Sequence, residues 1–343
     1  MKMISKLAVG AVAATLAMGV VAADAKTLKL QASSKAGDWA HRFMTDNWGP
    51  KLGMMTNGAV KVDVLPTKAV VPHRETIDAV ANGILDGDLN AVSYFTGRDP
   101  AFAIIGDLIA GYDTPDQVRT FCMHAGGKEI LQKLYDKYTK GKVHVVGCGP
   151  YAKEAFVSTI PIKTVADMAG VKIRSPEGLA AEVFKRAGAA PVSLPFSEVY
   201  TALEKGVIDA ADASAHVNNN ASGMYKVAKF PIYPGIHSMA VLQFIVNKKV
   251  WDKLGPEGQT ALEVWYSAAY DAMRREADLQ DRAIAAEQNA GDDITVIDWS
   301  TEERAKFREI AVGAWEDFAK KSPLAKEALD AHITYMKSVG LLK

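Results

Sequence analysis

The sequence predicts an α/β protein of two domains, and three observations lead to this expectation. Strand-like and helix-like segments alternate along the chain, which is typical of α/β folds with largely parallel sheets. About 318 residues follow an N-terminal targeting segment, more than one hydrophobic core usually holds. A long helical pattern after Pro256 has the length of an element that runs along two domains.

The first 25 residues have the pattern of a signal peptide. Lys2 and Lys6 precede an apolar stretch at 7–21, and residues 23–25 (ADA) offer the small residues that signal peptidase recognises. We therefore expect a mature chain that starts at Lys26 and is exported to the periplasm. No later stretch is long and apolar enough for a membrane helix, so we expect no direct membrane insertion.

The first predicted domain covers residues 26–149. In "AVKVDVLP" (59–66) apolar and polar residues alternate until a proline ends the strand. In "KVHVVGCG" (142–149) the apolar residues form a run, which is typical of a strand covered on both faces. A further strand is predicted at 27–34, and helices are predicted at about 38–52, 75–83 and 115–138.

The second predicted domain covers residues 150–235. It contains a compact unit of three strands and two helices, predicted at 170–176, 177–187, 190–195, 197–205 and 206–214. The strand that follows within 241–254 has no nearby partner, so we expect it to return to the first sheet and to complete the first domain with about 236–255. Parts of 256–343 then complete the second domain.

The segment 256–289 is predicted to be one long helix that spans both domains. Apolar residues recur at steps of three and four, and charged residues cover the opposite side. A coiled coil is the alternative, but the stripe lasts too few heptads to favour it. The stripe consists of Leu262, Trp265, Ala269, Met273 and Ala277.

Composition limits the partners of the protein. The 40 basic residues balance 40 acidic ones, so there is no electrostatic reason to expect nucleic acid as a partner. The two cysteines, Cys122 and Cys148, lie in a predicted helix and a predicted strand. We favour two buried, unpaired side chains over a disulfide.

A search for catalytic motifs gives no reason to expect an enzyme. The sequence has no G-x-S-x-G, no Walker loop, no H-E-x-x-H and no G-x-G-x-x-G between a strand and a helix. The histidines have no metal-ligand spacing on one helix face, and only His216 and His237 form a pair of interest. We expect a binding protein without a cofactor.

Arg174 in "GVKIRSP" (170–176) is the strongest candidate for a binding residue. An arginine beside an apolar strand is often a surface residue or a structural ion-pair partner. This one lies at the carboxyl end of its strand, where ligands of open α/β sheets bind. Its guanidinium can hold a carboxylate or a sulfonate through two parallel hydrogen bonds.

Residues 167–210, "DMAGVKIRSPEGLAAEVFKRAGAAPVSLPFSEVYTALEKGVIDA", closely resemble the periplasmic solute-binding proteins of tripartite ATP-independent periplasmic (TRAP) transporters, the DctP-like family. The resemblance extends over nearly the whole mature chain. "SYFTGRDPAFA" (93–103) and "YKVAKFPIYPG" (225–235) look most like the branch that binds 2-oxo and 2-hydroxy monocarboxylates. Further similar segments occur in the family's order at 56–66, 75–87 and 244–254.

This resemblance implies a two-lobed, Venus-flytrap fold that closes on a ligand, with Arg174 as the carboxylate-binding residue. Tyr94 and Phe95 match the aromatic pair that lines the cleft from the first lobe. Asp212 matches an acidic position that helps to hold a cation in the metal-containing branch. Ser214, which ends the same predicted strand, is included in the predicted ligand-binding set.

The sequence departs from the family pattern at several of these positions. Ala213 replaces an aromatic residue, which predicts a ligand larger than pyruvate or lactate. Near the place of a second carboxylate the chain has His237 and Ser238, so Asp212 is the only metal-ligand candidate and we expect no bound cation. His237 is kept as a candidate ligand-binding residue.

Glu154 lies where much of the family has a basic residue. It is either an exposed turn residue or a partner for a donor group on the ligand, and it disfavours a second acid group there. Trp39 and Tyr151 either form walls of the cleft or belong to the core.

The expected function is capture of a small organic acid and its delivery to a membrane permease. A small organosulfonate is the alternative ligand, because a guanidinium accepts it as readily as a carboxylate. An exported enzyme and a sensory binding protein remain the rival classes. Ligand identity, affinity and oligomeric state stay open.

Overall fold

The computed structural model describes residues 25–176, 178–236 and 238–342, and nine strands form two sheets in this part of the chain. The first sheet has the spatial order β2-β1-β3-β9-β4 and the second β5-β8-β6-β7. The strands are β1 (Lys26–Ala32), β2 (Val60–Leu65), β3 (Gly87–Ala91), β4 (Val143–Gly149), β5 (Ala155–Ser158), β6 (Lys172–Ser175), β7 (Ala190–Ser193), β8 (Ala210–Ser214) and β9 (Leu242–Asn247).

Twelve α-helices surround the sheets in the described ranges, and a π-helical stretch, Phe43–Trp48, joins the first two. The helices are α1 (Trp39–Arg42), α2 (Gly49–Met55), α3 (Thr76–Ala81), α4 (Ala101–Gly106), α5 (Pro115–His124), α6 (Gly127–Thr139), α7 (Leu179–Arg186), α8 (Val199–Glu204), α9 (His216–Ala221), α10 (Lys248–Ala290), α11 (Thr301–Ala319) and α12 (Pro323–Ser338).

The first sheet is mixed, although the sequence predicts largely parallel sheets. β1 pairs parallel with β2 and β3, whereas β9 runs antiparallel to both β3 and β4. Gly149 at the end of β4 is registered with Leu242 at the start of β9. The chain therefore leaves the sheet at the end of β4 and re-enters it beside that same end, so β9 runs antiparallel to β4.

The second sheet contains the predicted compact unit. β6 lies between β7 and β8 and is parallel to both, so the carboxyl ends of these three strands meet at one edge. β5 adds an antiparallel edge strand beside β8. The residues between β4 and β5, 150–154, cross from one sheet to the other. The predicted α/β architecture is confirmed.

The predicted long helix is present and contacts both halves of the molecule. Gly255, with φ 66° and ψ 173°, breaks the helical backbone of α10, and the chain is helical again from Pro256 to Ala290. The predicted apolar stripe is buried. α10 packs on β4 of the first sheet and on α9, where the Val217 amide donates to the Asp281 carboxylate at 2.6 Å.

The two cysteines form a disulfide, so the expectation of unpaired side chains is wrong. Cys122 lies on α5 and Cys148 on β4, and their Cα atoms are 5.9 Å apart. Helix α5 packs directly on β4, which brings the two positions within the ordinary span of a disulfide. Sequence patterns alone do not reveal this packing.

Some predictions fall on residues that the structure does not describe. The signal sequence lies almost entirely in 1–24, and the predicted helix start at Glu177 and the candidate His237 are also outside the described residues. Among the described helices, none combines the length and the apolar character that a membrane crossing requires.

Replacing a buried residue of the α10 stripe is predicted to destabilise the protein. Leu262 is fully buried, so Leu262→Ala should lower the free energy of unfolding by about 2–5 kcal/mol. Val264 on the same helix is 52% exposed, and Val264→Ala should change it by less than about 0.5 kcal/mol. Denaturant titration of both variants measures the difference. Equal effects would contradict the placement of α10.

Candidate functional site

A cavity lies between the two sheets, at the carboxyl ends of their parallel strands. Its volume is about 90 Å³, counted as the space open to the centre of a water molecule. Ser33 and Ser93 line it just beyond β1 and β3, and Arg174 and Ser214 line it at the ends of β6 and β8. This is the position at which open α/β sheets bind ligands.

Arg174 is buried, with 2% of its surface exposed, yet no carboxylate of the described residues pairs with it. Its Nε donates to the Leu194 carbonyl at 2.8 Å and its Nη1 to the Asp212 carbonyl at 2.6 Å. These carbonyls follow or belong to the two strands that flank β6. Among the described residues Nη2 has no hydrogen-bond partner, and the side chain lines the cavity.

The remaining wall is mostly apolar, with one unpaired hydroxyl. Met44, Leu89, Leu242 and Met273 line the cavity, as does Ala213 where the sequence predicts extra space. The hydroxyl of Ser93 is buried and finds no hydrogen-bond partner among the described residues. A ligand in this cavity meets an apolar surface around a few polar atoms.

The aromatic pair Tyr94–Phe95 is divided between the cavity and the core. Tyr94 lines the cavity, and its hydroxyl accepts a hydrogen bond from the Phe196 amide of the other lobe at 3.1 Å. Phe95 instead packs edge-on against Phe102 in the hydrophobic core. The structure therefore brings only the first of these two predicted residues to the cavity.

Tyr151 and Ser214 meet at the cavity wall. Their hydroxyls share a hydrogen bond of 2.6 Å, and Asn218 donates to the Ser214 hydroxyl at 3.2 Å. The Tyr151 ring stacks against Trp39, with ring centroids 6.2 Å apart. Tyr151, Ser214 and Asn218 line the cavity, whereas Trp39 does not. Ser214 and Trp39 thus hold the Tyr151 side chain in place, and Asn218 in turn bonds to Ser214.

Glu154 and Asp212 join a carboxyl cluster that also contains Asp107; Asp107 and Asp212 are buried, and Glu154 is partly buried. Ser238 lies at its centre, and its hydroxyl oxygen is 2.7 Å from Asp107, 3.0 Å from Asp212 and 3.3 Å from Glu154. Glu154 also lines the cavity, whereas the Asp212 side chain does not. The cluster lies beside Arg174, which lowers the pKa of Glu154 and Asp212 against the stronger effect of burial.

The cluster has to hold protons. A serine hydroxyl has one hydrogen, so it donates to one of the three carboxyl groups, and another must be protonated to bond the hydroxyl in turn. Burial raises the pKa of Asp107 to about 7 and of Asp212 to about 6. Burial, followed by the charges of Asp212 and Asp107, raises the pKa of Glu154 well above its usual value.

Gly235 fixes the crossover that carries Glu154. A Cβ atom at this glycine would lie 1.6 Å from the Glu154 carbonyl oxygen, so the "YPG" turn packs directly on that backbone. The Glu154 amide also donates to the Ser238 carbonyl at 2.9 Å. The motif that resembles the family therefore acts on the site through backbone contact.

The structure shows no ready-made cation site in the described part of the chain. Within it, no group of three or more His, Cys, Asp or Glu side chains is arranged to hold a metal ion. Asp212, the candidate metal ligand, accepts a hydrogen bond from Ser238 and does not line the cavity. His237 lies outside the described residues.

Sequence reasoning missed several residues at the site. Ser33 and Ser93 follow β1 and β3, so the rule that ligands bind beyond strand ends could have found them. Asn218 and His41 also line the cavity but come from helices. Asp107, which ends α4, joins the site only through the fold, and its sequence context gives no signal.

Asp107→Asn is predicted to flatten the pH dependence of stability. Carboxyl groups whose pKa is raised by folding stabilise the protein below about pH 4, and this contribution is lost as pH rises through about 7. An asparagine reproduces the hydrogen bonds of the protonated acid. The melting temperature of the variant should therefore fall less between pH 5 and pH 8 than that of the wild type.

The matched control is Asp63→Asn, because Asp63 is exposed. The melting temperature of Asp63→Asn should change with pH in the same way as that of the wild type. Identical slopes for the wild type and Asp107→Asn would contradict proton sharing in the cluster.

Comparison with known proteins identifies the family. The sequence model of "Bacterial extracellular solute-binding protein, family 7" (DctP) matches residues 31–322. A relative, the monocarboxylate 2-oxoacid-binding periplasmic protein of Nostoc sp., is 27% identical over 318 residues, which cover 86% of this chain and 84% of that protein.

Solved structures agree with this assignment. A TRAP periplasmic solute-binding protein from Rhodobacter sphaeroides, in an apo open form, is 41% identical, with a TM-score of 0.75 over 92% of this chain and 99% of that one. One from Colwellia psychrerythraea, with bound calcium and pyruvate, shares the fold at 23% identity and a TM-score of 0.78, over 92% and 95% of the two chains. The chain therefore belongs to the family 7 (DctP) extracellular solute-binding proteins that serve TRAP transporters.

Proposed function

We propose that the protein captures a small monocarboxylate, a 2-oxo or 2-hydroxy acid, in the periplasm and delivers it to the membrane permease of a TRAP transporter. One observation carries the proposal. Arg174 is a buried cation that lines the cavity between the sheets and has no carboxylate partner among the described residues. The acid group of the ligand is the missing partner.

The energetics favour binding of an anion at this position. A buried charge without a counterion costs several kcal/mol, and a hydrogen-bonded carboxylate removes much of this penalty. The Leu194 and Asp212 carbonyls orient the guanidinium before the ligand arrives. A micromolar dissociation constant corresponds to about 8 kcal/mol, within reach of one charge-assisted pair together with apolar contacts.

Ligand binding is coupled to closure of the two lobes. Tyr94 accepts a hydrogen bond from Phe196 across the cleft, and Lys68 forms an ion pair with Glu198 at 2.9 Å. Both ion-pair side chains are about half exposed, and such pairs contribute only about 0–1 kcal/mol. These contacts alone therefore stabilise closure weakly, and the ligand supplies the difference between the two states.

The polar groups near Arg174 favour one acid group with a neighbouring oxygen. Burial raises the pKa of Glu154 well above its usual value, which favours the protonated form, and a protonated Glu154 donates a hydrogen bond to a keto or hydroxyl oxygen of the ligand. A second acid group there would meet the carboxyl cluster. The apolar wall accommodates a short carbon chain, and the name of the Nostoc relative supports the same class of acid.

We propose that the protein binds the acid without a metal ion in the site. Asp212 belongs to the carboxyl cluster behind Arg174, so the acid that matches the metal-binding position of the family is engaged elsewhere. The ligand charge is balanced by the guanidinium itself. Binding measured with and without a chelator gives the same affinity under this proposal.

The proposal is for a binding protein and not for an enzyme, in keeping with the family. Incubation of the protein with candidate acids, followed by product analysis, should return them unchanged. An organosulfonate is the alternative ligand, and it is tested by the same incubation and product analysis.

Arg174→Lys is predicted to weaken binding at least tenfold. Lysine keeps the charge but cannot form two parallel hydrogen bonds with a carboxylate. Calorimetry with pyruvate, 2-oxobutanoate, 2-hydroxybutanoate and 2-hydroxyethanesulfonate first identifies a ligand of the wild type. The same titration then compares the variant.

Arg186→Lys is the matched control, because Arg186 is bonded to Glu182 and Asp317 on the surface of the second lobe. Its affinity should equal that of the wild type. An unchanged affinity of Arg174→Lys would remove Arg174 from the site, and preferential binding of the sulfonate would replace the carboxylate assignment.

A further inference from the structure

A second cleft lies directly behind the ligand cavity, and one side chain separates the two. This rear cleft has a volume of about 360 Å³ on the same measure as the cavity. Tyr151 is the one residue, within the described ranges, that lines both spaces. The partition between them is therefore one side chain thick at this point.

Two segments run between the cavity and the rear cleft and line both. On α10, Met273 lines the ligand cavity and the next residue, Arg274, lines the rear cleft. On the crossover, Glu154 lines the cavity whereas Lys153 lines the rear cleft. In each pair, consecutive residues line different spaces, whereas Tyr151 itself lines both.

The Tyr151 ring is held in this closed position by specific contacts. Its hydroxyl is hydrogen-bonded to Ser214, and its ring stacks on Trp39. Only 8% of the residue surface is exposed. The side chain is thus held in place at both its ring and its hydroxyl.

The rear cleft differs chemically from the cavity. It is lined by polar and charged side chains of both signs, among them Lys153, Arg282, Asp278 and Asp281. Arg282 and Asp278 are paired with each other. This cleft has space for an extended chain, and its cations are less buried than Arg174 in the ligand cavity.

We propose that Tyr151 sets the upper limit on the chain length of the bound acid. The inference rests on the proposed function, because it takes the carboxylate to be held by Arg174. With the acid group fixed there, a longer carbon chain meets the Tyr151 ring. Removal of the ring joins the cavity to the rear cleft, so the carbon chain of the ligand can extend into that cleft by several carbon atoms.

Tyr151 is thus a specificity-determining residue for the length of the ligand. The replaced side chain does not hold the acid group, so the effect falls on the far end of the ligand. Short acids lose a wall contact in an opened cavity, whereas long acids gain space. The role of Tyr151 is therefore tested by how affinity changes with the chain length of the acid, and not by the affinity for any one acid.

The test uses straight-chain 2-oxo acids from three to eight carbons with the full mature protein. For each acid, calorimetry gives the affinity of the wild type, Tyr151→Ala and Tyr151→Phe. We expect the affinity of the wild type to fall steeply beyond a limiting length. Tyr151→Ala should bind the longest acids at least tenfold more tightly than the wild type and the shortest acids less tightly.

Tyr151→Phe keeps the ring and loses only the hydrogen bond to Ser214, so its length profile should follow the wild type. If Tyr151→Ala does not fold, Tyr151→Leu shortens the wall with less loss of packing and should shift the limit in the same direction. Circular dichroism and thermal melting of each variant establish that it is folded.

The outcomes separate the two proposals. Acids that bind in an Arg174-dependent manner, with the same length profile in the wild type, Tyr151→Ala and Tyr151→Leu, would overturn the role of Tyr151 and leave the proposed function intact. Failure of every acid to bind the wild type would overturn both. A shifted length limit in Tyr151→Ala or Tyr151→Leu supports the inference.

Discussion

A buried guanidinium that has no carboxylate partner in the described part of the chain is the constraint on which the proposed site depends. Arg174 lies at the end of a central strand, and its partners in the described part of the protein are backbone carbonyls. Carbonyl dipoles orient a cation without neutralising it. The fold therefore fixes the position of the charge. Under the proposed function an anion from outside neutralises it, and closure around that anion removes the water that would otherwise compete for it.

The rest of the architecture brings the two lobes to this charge. Three features meet at the cavity: the crossover at 150–154, the return of the chain into β9, and helix α10. The carboxyl cluster lies where they converge, with Asp107 from the first lobe and Asp212 from the second bonded to the same serine. Burial raises the pKa of these carboxyl groups and so favours their protonated forms, which limits the negative charge beside Arg174.

The sequence predicts the elements of the fold better than their arrangement. Alternating segments and the α10 stripe follow from local periodicity, and Arg174 is predicted as a binding residue because it lies at the carboxyl end of a strand, where open α/β sheets bind ligands. The antiparallel direction of β9 and the disulfide between Cys122 and Cys148 depend on which elements pack together. For the same reason the sequence does not predict that Asp107 joins the carboxyl cluster or that Phe95 lies in the core. Neighbouring residues in the sequence do not determine which side of a short turn faces a cavity.

The most direct measurement of the central claim is a crystal structure of the protein with the tightest-binding acid from the titrations. The account predicts two carboxylate oxygens within about 2.7–3.1 Å of guanidinium nitrogens of Arg174, with the carbonyl bonds to Leu194 and Asp212 retained. It would be contradicted by an acid bound away from Arg174, or by a guanidinium paired with a carboxylate of the protein itself.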